Sequence, residues 1–480
     1  MNDFPESARA IVTEAGRGLE EAARRAPDGL AGISAYRSLH AEALGRIAAL
    51  HRSGAGGLEI SGLLTDITDL FIRHAFRIHF PDSGEKVPAL LALAGYGRRE
   101  LSPFSDIDLV FVTEADSGDE DPRMGAFLRF LWDLNLDLGH STRTPAECIE
   151  DIREDTWFAT SLLESRLIDG NTELDDDVRN RLLTEMDRGF GKTLALKKIG
   201  ERTGRIEANG GTVQIQTPNV KESPGGLRDI QLIRWLAALS GEMGNCGGAS
   251  REGILEPEEA DLIEGILDFL FRVRNALHFT AGKRTDLLTH VVIPEIARQL
   301  GYTGESSRPG ERFMRDYYMH AGDVFRLVNR AVGRYMDRSG AVSRTPFVVL
   351  PIGIRTNDTH AALFREDSGF LDTHPSLFVE LFTVAGAFNL SLTDESAFIV
   401  EHAVSRLDDT FPTQPDVRTA FHALLNLRTG IPRAFRLLHE HGVLARLLPE
   451  FGAIGWHYQY DYYHAYTTDE HSLKVVEHLE

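Results

Sequence analysis

Val87-Pro88-Ala89-Leu90-Leu91-Ala92-Leu93-Ala94 is a short apolar run that stops at Gly95, and it constrains the fold more than any other stretch of the chain. A run of this length bounded by glycine predicts a strand buried on both faces. Ile107-Asp108-Leu109-Val110-Phe111-Val112 predicts a second strand, ended by the acidic turn Glu114–Pro122. Helical spacing from Met124 to Leu134 follows, and Leu136-Asp137-Leu138 opens a third strand. Strand, turn, strand, helix and strand in so short a span define a small α/β unit.

The rest of the chain reads as helix. Residues 1 to about 80 are helical, with Ala and Arg dense over Ala8–Arg25 and Leu63, Ile67, Leu70, Phe71 and His74 at helical spacing. From Pro145 to about Arg338 the pattern is again helical. It is interrupted by a strand-like Thr212–Gln216 and by the turn Ser223-Pro224-Gly225-Gly226. Gly244–Ser250 and Gly304–Gly310 read as loops. Phe347–Ile354 is a brief β segment, and helices run on to about Leu448. The fold class expected is α+β, mainly helical, with a small mixed-sheet core between N-terminal helices and a later helical domain.

The 480 residues suggest about three domains. Lys plus Arg number 51 against 72 Asp plus Glu, a net charge of −21. So acidic a chain repels phosphates at long range, which argues against a nucleic-acid or membrane partner. A phosphate-bearing ligand then needs a local basic pocket or metal ions. Two cysteines, Cys148 and Cys246, exclude a disulfide framework and a Cys-rich zinc site. Met1–Ser7 lacks a secretory signal, and no apolar run is long enough to span a bilayer, so a cytoplasmic setting is expected.

Chemistry concentrates in Gly95-Tyr96-Gly97-Arg98-Arg99-Glu100-Leu101-Ser102-Pro103-Phe104-Ser105-Asp106-Ile107-Asp108-Leu109. Side chains two apart on a strand share a face, so Asp106 and Asp108 aim together while Ile107 and Leu109 face the core. Two adjacent carboxylates repel unless a cation lies between them, and Mg²⁺ takes hard oxygen ligands and brings nucleotide phosphates with it. Asp137, between two leucines, could complete the set from a neighbouring strand and allow two metals. Gly95 and Gly97 give a turn whose amides can approach phosphate, and Arg98 and Arg99 could neutralise triphosphate charge. Alone, Ser105-Asp106 reads as a turn cap and Asp-x-Asp as solvated strand. It is their succession with Asp137 in one unit that favours a site. The absence of G-x-x-x-x-G-K-[ST] disfavours a P-loop enzyme.

G-Y-G-R-R-E-L-x-P-x-S-D-I-D-L resembles the nucleotidyltransferase signature of the bifunctional uridylyltransferase/uridylyl-removing enzymes of the PII nitrogen-signalling protein. Asp106, Asp108 and Asp137 match that superfamily's Asp-x-Asp and third carboxylate in order. Gly139-His140-Ser141-Thr142-Arg143-Thr144 resembles the family's G-x-S-x-R-T, and Lys221–Asp229 its K-E-S-P-G-G-L-R-D element. Phe271–His278 and Arg312–Tyr318 are similar to its helical domain. The likeness runs from about residue 60 to the C-terminus.

The resemblance implies UMP transfer from UTP to a tyrosine of a PII-type protein, with Mg²⁺, or Mn²⁺, held by Asp106, Asp108 and Asp137. Gly95, Gly97, Arg98, Arg99 and Ser105 are the expected nucleotide-binding residues. Lys221 and Arg228 reach the nucleotide or the partner, although a capped helix after a turn explains that segment equally well. The implied domains are a helical segment 1–60, a nucleotidyltransferase core 61–170 and a helical domain 171–340. A linking region 341–450 and the start of an HD phosphohydrolase domain 451–480 complete them. Asp469-Glu470-His471-Ser472-Leu473-Lys474-Val475 resembles the opening helix of that HD domain, where His471 would be a first metal ligand. The chain ends before any His-Asp pair, so it is expected to be part of a longer protein and not to remove UMP itself. The seven-residue spacing of His457, His464, His471 and His478 is read as chance. Two alternatives remain open: an ATP-using adenylyltransferase of the glutamine synthetase type, and an inactive PII-binding module.

Overall fold

A computed structural model describes residues 4–25, 33–81, 87–114, 121–240, 253–304, 309–339, 345–350, 352–365, 368–455 and 466–480. His457, His464, Cys246 and the loop Gly244–Ser250 therefore lie outside the described residues. The chain divides into two units, Met1–Gly211 with Asn219–Gly310, and Thr212–Pro218 with Glu311–Glu480.

The first unit opens with α1 (Phe4–Arg25), α2 (Ile33–Arg52) and α3 (Gly57–His79). Helix α1 buries Ile11, Ala15, Leu19 and Ala22, three and four apart, so one stripe faces inward. Strand β1 (Ala89–Ala92), the helical turn α4 (Ala94–Gly97), β2 (Ile107–Val112), α5 (Pro122–Asp133) and β3 (Leu138–Arg143) follow. The Asp121 carboxylate accepts from the Arg123 amide at 2.8 Å and Pro122 occupies the first turn, which fixes the start of α5. After α6 (Pro145–Glu154) and α7 (Thr156–Leu163), β4 (Arg166–Gly170) returns to the sheet. The strand order is β3-β2-β1-β4, with β2 and β3 parallel and the other pairs antiparallel.

Alternation divides the apolar residues between two cores. Leu90, Ala92, Ile107, Leu109 and Phe111 pack with the N-terminal helices and α5. Ala89, Leu91, Val110 and Val112 pack with Cys148, Ile152 and Phe158 from α6 and α7. Helices α8 (Thr172–Glu185), α9 (Gly191–Ala208), α10 (Leu227–Leu239), α11 (Pro257–Ala281) and α12 (Ile293–Gln299) complete this unit. Helices α3 and α11 approach so closely that a Cβ on Gly57 would lie 2.1 Å from the Asp268 carbonyl oxygen.

The second unit contains α13 (Pro309–Arg338) from Glu311 onward and a small sheet of β5 (Val348–Leu350), β6 (Ile354–Thr356), β7 (His360–Leu363) and β8 (Ser391–Leu392). Its core gathers Phe378, Leu381 and Phe382 of α15 (Leu377–Ala387, after α14, Ser368–Thr373) with Leu438 of α18 (Ile431–Glu440). Helices α16 (Asp394–Val404), α17 (Pro415–Leu425), α19 (Val443–Leu447), α20 (Pro449–Ile454) and α21 (Thr468–Leu479) surround it. Arg436 of α18 holds Glu470 of α21 at 3.1 Å.

The molecule is mainly helical α+β with small mixed sheets, as the sequence predicts. Strand β2 has the expected limits, while β4, β7 and β8 interrupt stretches read as helical. The strand-like Thr212–Gln216 reduces to one bridge, Ile215 with Tyr466. Among the described residues no helix is long and apolar enough to cross a membrane.

Candidate active site

Strand register gathers the carboxylates. Ile107 stands opposite Leu138 and Asp108 opposite Gly139, and the Ile107 amide donates to the Asp137 carbonyl at 2.8 Å. Asp106 and Asp137 are therefore the preceding pair, on strands about 4.8 Å apart. Both share a face with Asp108. Further along that face Val110 and Val112 lie in the core beneath α6 and α7, whereas the Asp106 side chain is 43% exposed. The same strand thus runs from an open polar end into a core. Gly139 leaves room for the Asp108 carboxylate, since a Cβ there would lie 2.4 Å from Asp108 Oδ1.

The electrostatics follow from that crowding. Burial, reinforced by Asp106 and Asp137, pushes the Asp108 carboxyl up to about 6 against the opposing pull of Arg284 and Lys221. Arg284 Nη1 pairs with Asp106 Oδ2 at 2.7 Å. Burial, with Arg228 and Arg274 nearby, brings Lys221 down to about 8. Three carboxylates thus meet a basic group drawn from the segments around α10 and α11.

The glycine turn is held rigidly. The Leu93 amide donates to the Asp108 carbonyl at 3.0 Å, tying the turn to the strand. A Cβ on Gly97 would lie 2.2 Å from the Glu164 carbonyl oxygen, so only glycine fits; at Gly95 the nearest atom would be 3.7 Å away. Tyr96 donates its hydroxyl to the buried Asp69 at 2.7 Å, and Asp69 also takes two bonds from Arg166 at 2.8 and 2.9 Å.

Each arginine of the turn has carboxylate partners within the fold. Arg98 lies in the scaffold, its guanidinium shared between Glu100 at 2.6 Å and Glu164, with only 12% of the side chain exposed. Arg99 pairs with Asp66 of α3. Ser105 closes its own loop, its hydroxyl accepting from the Ser102 amide at 3.2 Å.

The Lys221–Asp229 segment is a locked turn. Asn219 Oδ1 accepts from the Lys221 and Glu222 amides, each at 2.9 Å, and the Ser223 hydroxyl accepts from the Asn219 amide at 2.9 Å. Asp229, fully buried, accepts from the Gly225 amide at 2.9 Å and pairs with Arg202 and Arg205. Arg228 donates to Gln231 at 2.8 Å. Among the described residues the Lys221 ammonium makes no ion pair.

Sequence reasoning missed Arg284 and its support. Asp286 Oδ1 takes Arg274 Nε at 2.7 Å and lies 3.3 Å from His278 Nε2, while His278 Nδ1 donates to the Pro103 carbonyl. Burial raises Asp286, but His278 and Arg274 outweigh it and hold the carboxyl well below the usual range. The available signal was Arg274 and His278 one helical turn apart in an apolar helix.

Hard oxygen donors crowded on one face fit a divalent cation, and Asp106, Asp108 and Asp137 are the residues that would hold it. Among the described residues no three His, Cys, Asp or Glu side chains already close around one point for a metal. The Asp106 carboxylate is turned to Arg284 instead. His471 is exposed on α21 and belongs to no such group among the described residues.

Residues 194–332 match the family model described as GlnD PII-uridylyltransferase, a span that includes Lys221, Arg228, Asp286 and Arg284. Bifunctional uridylyltransferase/uridylyl-removing enzymes are similar over most of the chain. That of Caulobacter vibrioides is 33% identical over 459 residues, covering 90% of this chain and 48% of the relative. Those of Azospirillum brasilense and Pseudomonas putida are 31% and 34% identical, covering 86% and 82% of this chain and 45% and 44% of the relatives. The chain spans about half the length of the curated relatives it matches. Along most of its own residues this protein is thus a homologue of the bifunctional uridylyltransferase/uridylyl-removing enzymes, with the GlnD PII-uridylyltransferase match centred on the helices that bring basic groups to the carboxylate face.

Proposed function

We propose that the chain transfers UMP from UTP to a tyrosine hydroxyl of a PII-type signalling protein, releasing pyrophosphate. The observation that carries this reading is the common face of Asp106, Asp108 and Asp137 on a parallel strand pair, faced by Lys221 and Arg284. In the reaction the tyrosine oxygen attacks the α-phosphorus, and the bond from that phosphorus to the β-phosphate oxygen breaks. Bound Mg²⁺ would supply charge neutralisation at the triphosphate and polarise the attacked phosphorus.

Asp106 and Asp108 would hold the cation that neutralises the triphosphate. Asp137, the most open of the three, accepts the proton of the incoming hydroxyl and would help hold a second cation. The Gly95 and Tyr96 amides open the turn toward the β and γ phosphates, while the Gly97 amide donates to the Leu93 carbonyl at 2.9 Å and holds the turn's shape, and Lys221 and Arg228 supply positive charge. Positioning and charge stabilisation then account for most of the rate. The removal activity in the relatives' name is not part of this proposal, and metal-dependent release of UMP from a modified partner by this chain would contradict the expectation that it only transfers.

Incubation with a PII-type protein, Mg²⁺ and labelled UTP or ATP in parallel tests the reading. Label from UTP is expected, and Asp106→Asn with Asp108→Asn should abolish it while the fold persists. Incorporation by the double variant would refute the assigned roles. Label from ATP alone would move the protein to an adenylyl donor.

A further inference from the structure

We infer that Arg284 is an exchangeable triphosphate ligand: it neutralises Asp106 while the site is empty, and passes to the phosphates when a divalent cation and nucleotide take its place. The inference rests on the nucleotidyltransferase reading and adds to it a residue that the sequence signature does not contain.

Three observations carry it. First, Arg98, the buried guanidinium of the glycine turn, is committed to Glu100 and Glu164. Cationic charge beside Asp106 then has to come from elsewhere, and Arg284 already lies 2.7 Å from that carboxylate.

Second, the pair is built for exchange. Both side chains are about two-fifths exposed, at 42% and 43%, so the contact adds little to stability. An arginine fork also matches phosphate as well as carboxylate, so the guanidinium exchanges one oxyanion for another. Asp106 meanwhile exchanges the guanidinium for the metal. No buried charge is left uncompensated in either state.

Third, the base of Arg284 is fixed while its side chain is not. Two residues on, Asp286 is clamped by Arg274 and His278, and its carbonyl accepts from the Val220 amide at 2.8 Å. Asn219 bridges Leu287 in the same place. One bridge therefore anchors both Arg284 and Lys221 beside the carboxylates, and a long side chain on an anchored backbone can change partners without a loop movement.

Exchange predicts effects of opposite sign. In Arg284→Gln, Asp106 loses its counter-charge, so Mn²⁺ alone, followed by its paramagnetic resonance signal, should bind several-fold tighter. The same variant should bind UTP with Mg²⁺ about tenfold or more weaker by calorimetry. Arg284→Lys should recover part of the UTP affinity, since it restores charge without the fork. Only opposite movement of the two affinities supports the exchange. Two unchanged affinities, a common weakening, or a change confined to Mn²⁺ would each overturn it. Failure of the underlying reading would show separately, as a wild-type chain that does not bind UTP with Mg²⁺, and the inference would fall with it.

Discussion

Gly139→Ala separates the cost of holding the fold from the cost of misplacing a carboxylate. The added Cβ would lie 2.4 Å from Asp108 Oδ1 and 3.6 Å from its Cγ, whereas ordinary contact begins at 3.4 Å. The strands keep their hydrogen-bonded spacing, so the carboxylate must retreat by about 1 Å. Turning one side chain off its rotamer costs about 0.5–1.5 kcal/mol, and replacing glycine by alanine in extended backbone returns about 0.4–1 kcal/mol through the unfolded chain. Stability should therefore change by no more than about 1 kcal/mol in urea unfolding. Transfer should fall about 100-fold, the usual consequence of a reacting group displaced by about 1 Å. Steady-state incorporation of labelled UMP measures it. A variant that keeps half the wild-type rate would refute the reasoning, because Asp108 would then not need its observed position. A variant that loses several kcal/mol would show that Gly139 serves packing instead.

Gly97→Ala should cost more than about 2 kcal/mol, since its Cβ meets the Glu164 carbonyl at 2.2 Å, whereas Gly95→Ala should fold normally and lose affinity for UTP; paired unfolding and calorimetry decide. Lys221 has a lowered folded pKa, so its stabilising contribution is present above about pH 10.5 and is lost as pH falls through about 8. Lys221→Met should therefore raise stability at pH 7 by about 1–2 kcal/mol while weakening UTP binding, and equal losses of both would contradict this. Burial, with Arg272 and Arg52 nearby, lowers His51 to about 4, so stability present above pH 6.5 is lost as pH falls through 4. His51→Phe should remove about 2–3 kcal/mol of that acid sensitivity, read from unfolding midpoints against pH.

The sequence made the sheet legible where local pattern and tertiary role agree. Ile107–Val112 alternates and lies between two cores, so its period and its burial say the same thing. Arg166–Gly170 escaped because Arg166, Asp169 and Gly170 break any apolar run, and its place in the sheet comes from pairing with β1 and from Arg166 binding Asp69. The carboxylate trio was legible because one strand and one strand start carry it. Arg284 was not, because its relevance depends on a pairing between residues 178 positions apart that no period encodes. Arg98 was legible only as a charge beside a glycine turn; its partners Glu100 and Glu164 come from a loop and a distant helix end, which adjacency in sequence does not show.

Backbone strain gathers around the same site. Among the described residues the non-glycine positions with positive φ are Ala94, Arg99, Phe104, Asn135 and Asn389: the first two flank the glycine turn, Phe104 stands two residues before Asp106 and Asn135 two before Asp137. Each such conformation costs on the order of 1 kcal/mol for a residue with a Cβ, least for asparagine. Strain persists only where the surroundings over-determine it. Here they do so with polar ties: Tyr96 to Asp69, Arg98 to Glu100 and Glu164, Ser102 to Ser105, and His278 to the Pro103 carbonyl. Tyr96 and Leu101 of this loop enter the core, and ion pairs and hydrogen bonds fix from beneath the polar stretch that carries Asp106. Such buried pairs seldom stabilise more than an apolar core would, so their concentration under one loop marks geometry rather than stability as what the residues maintain.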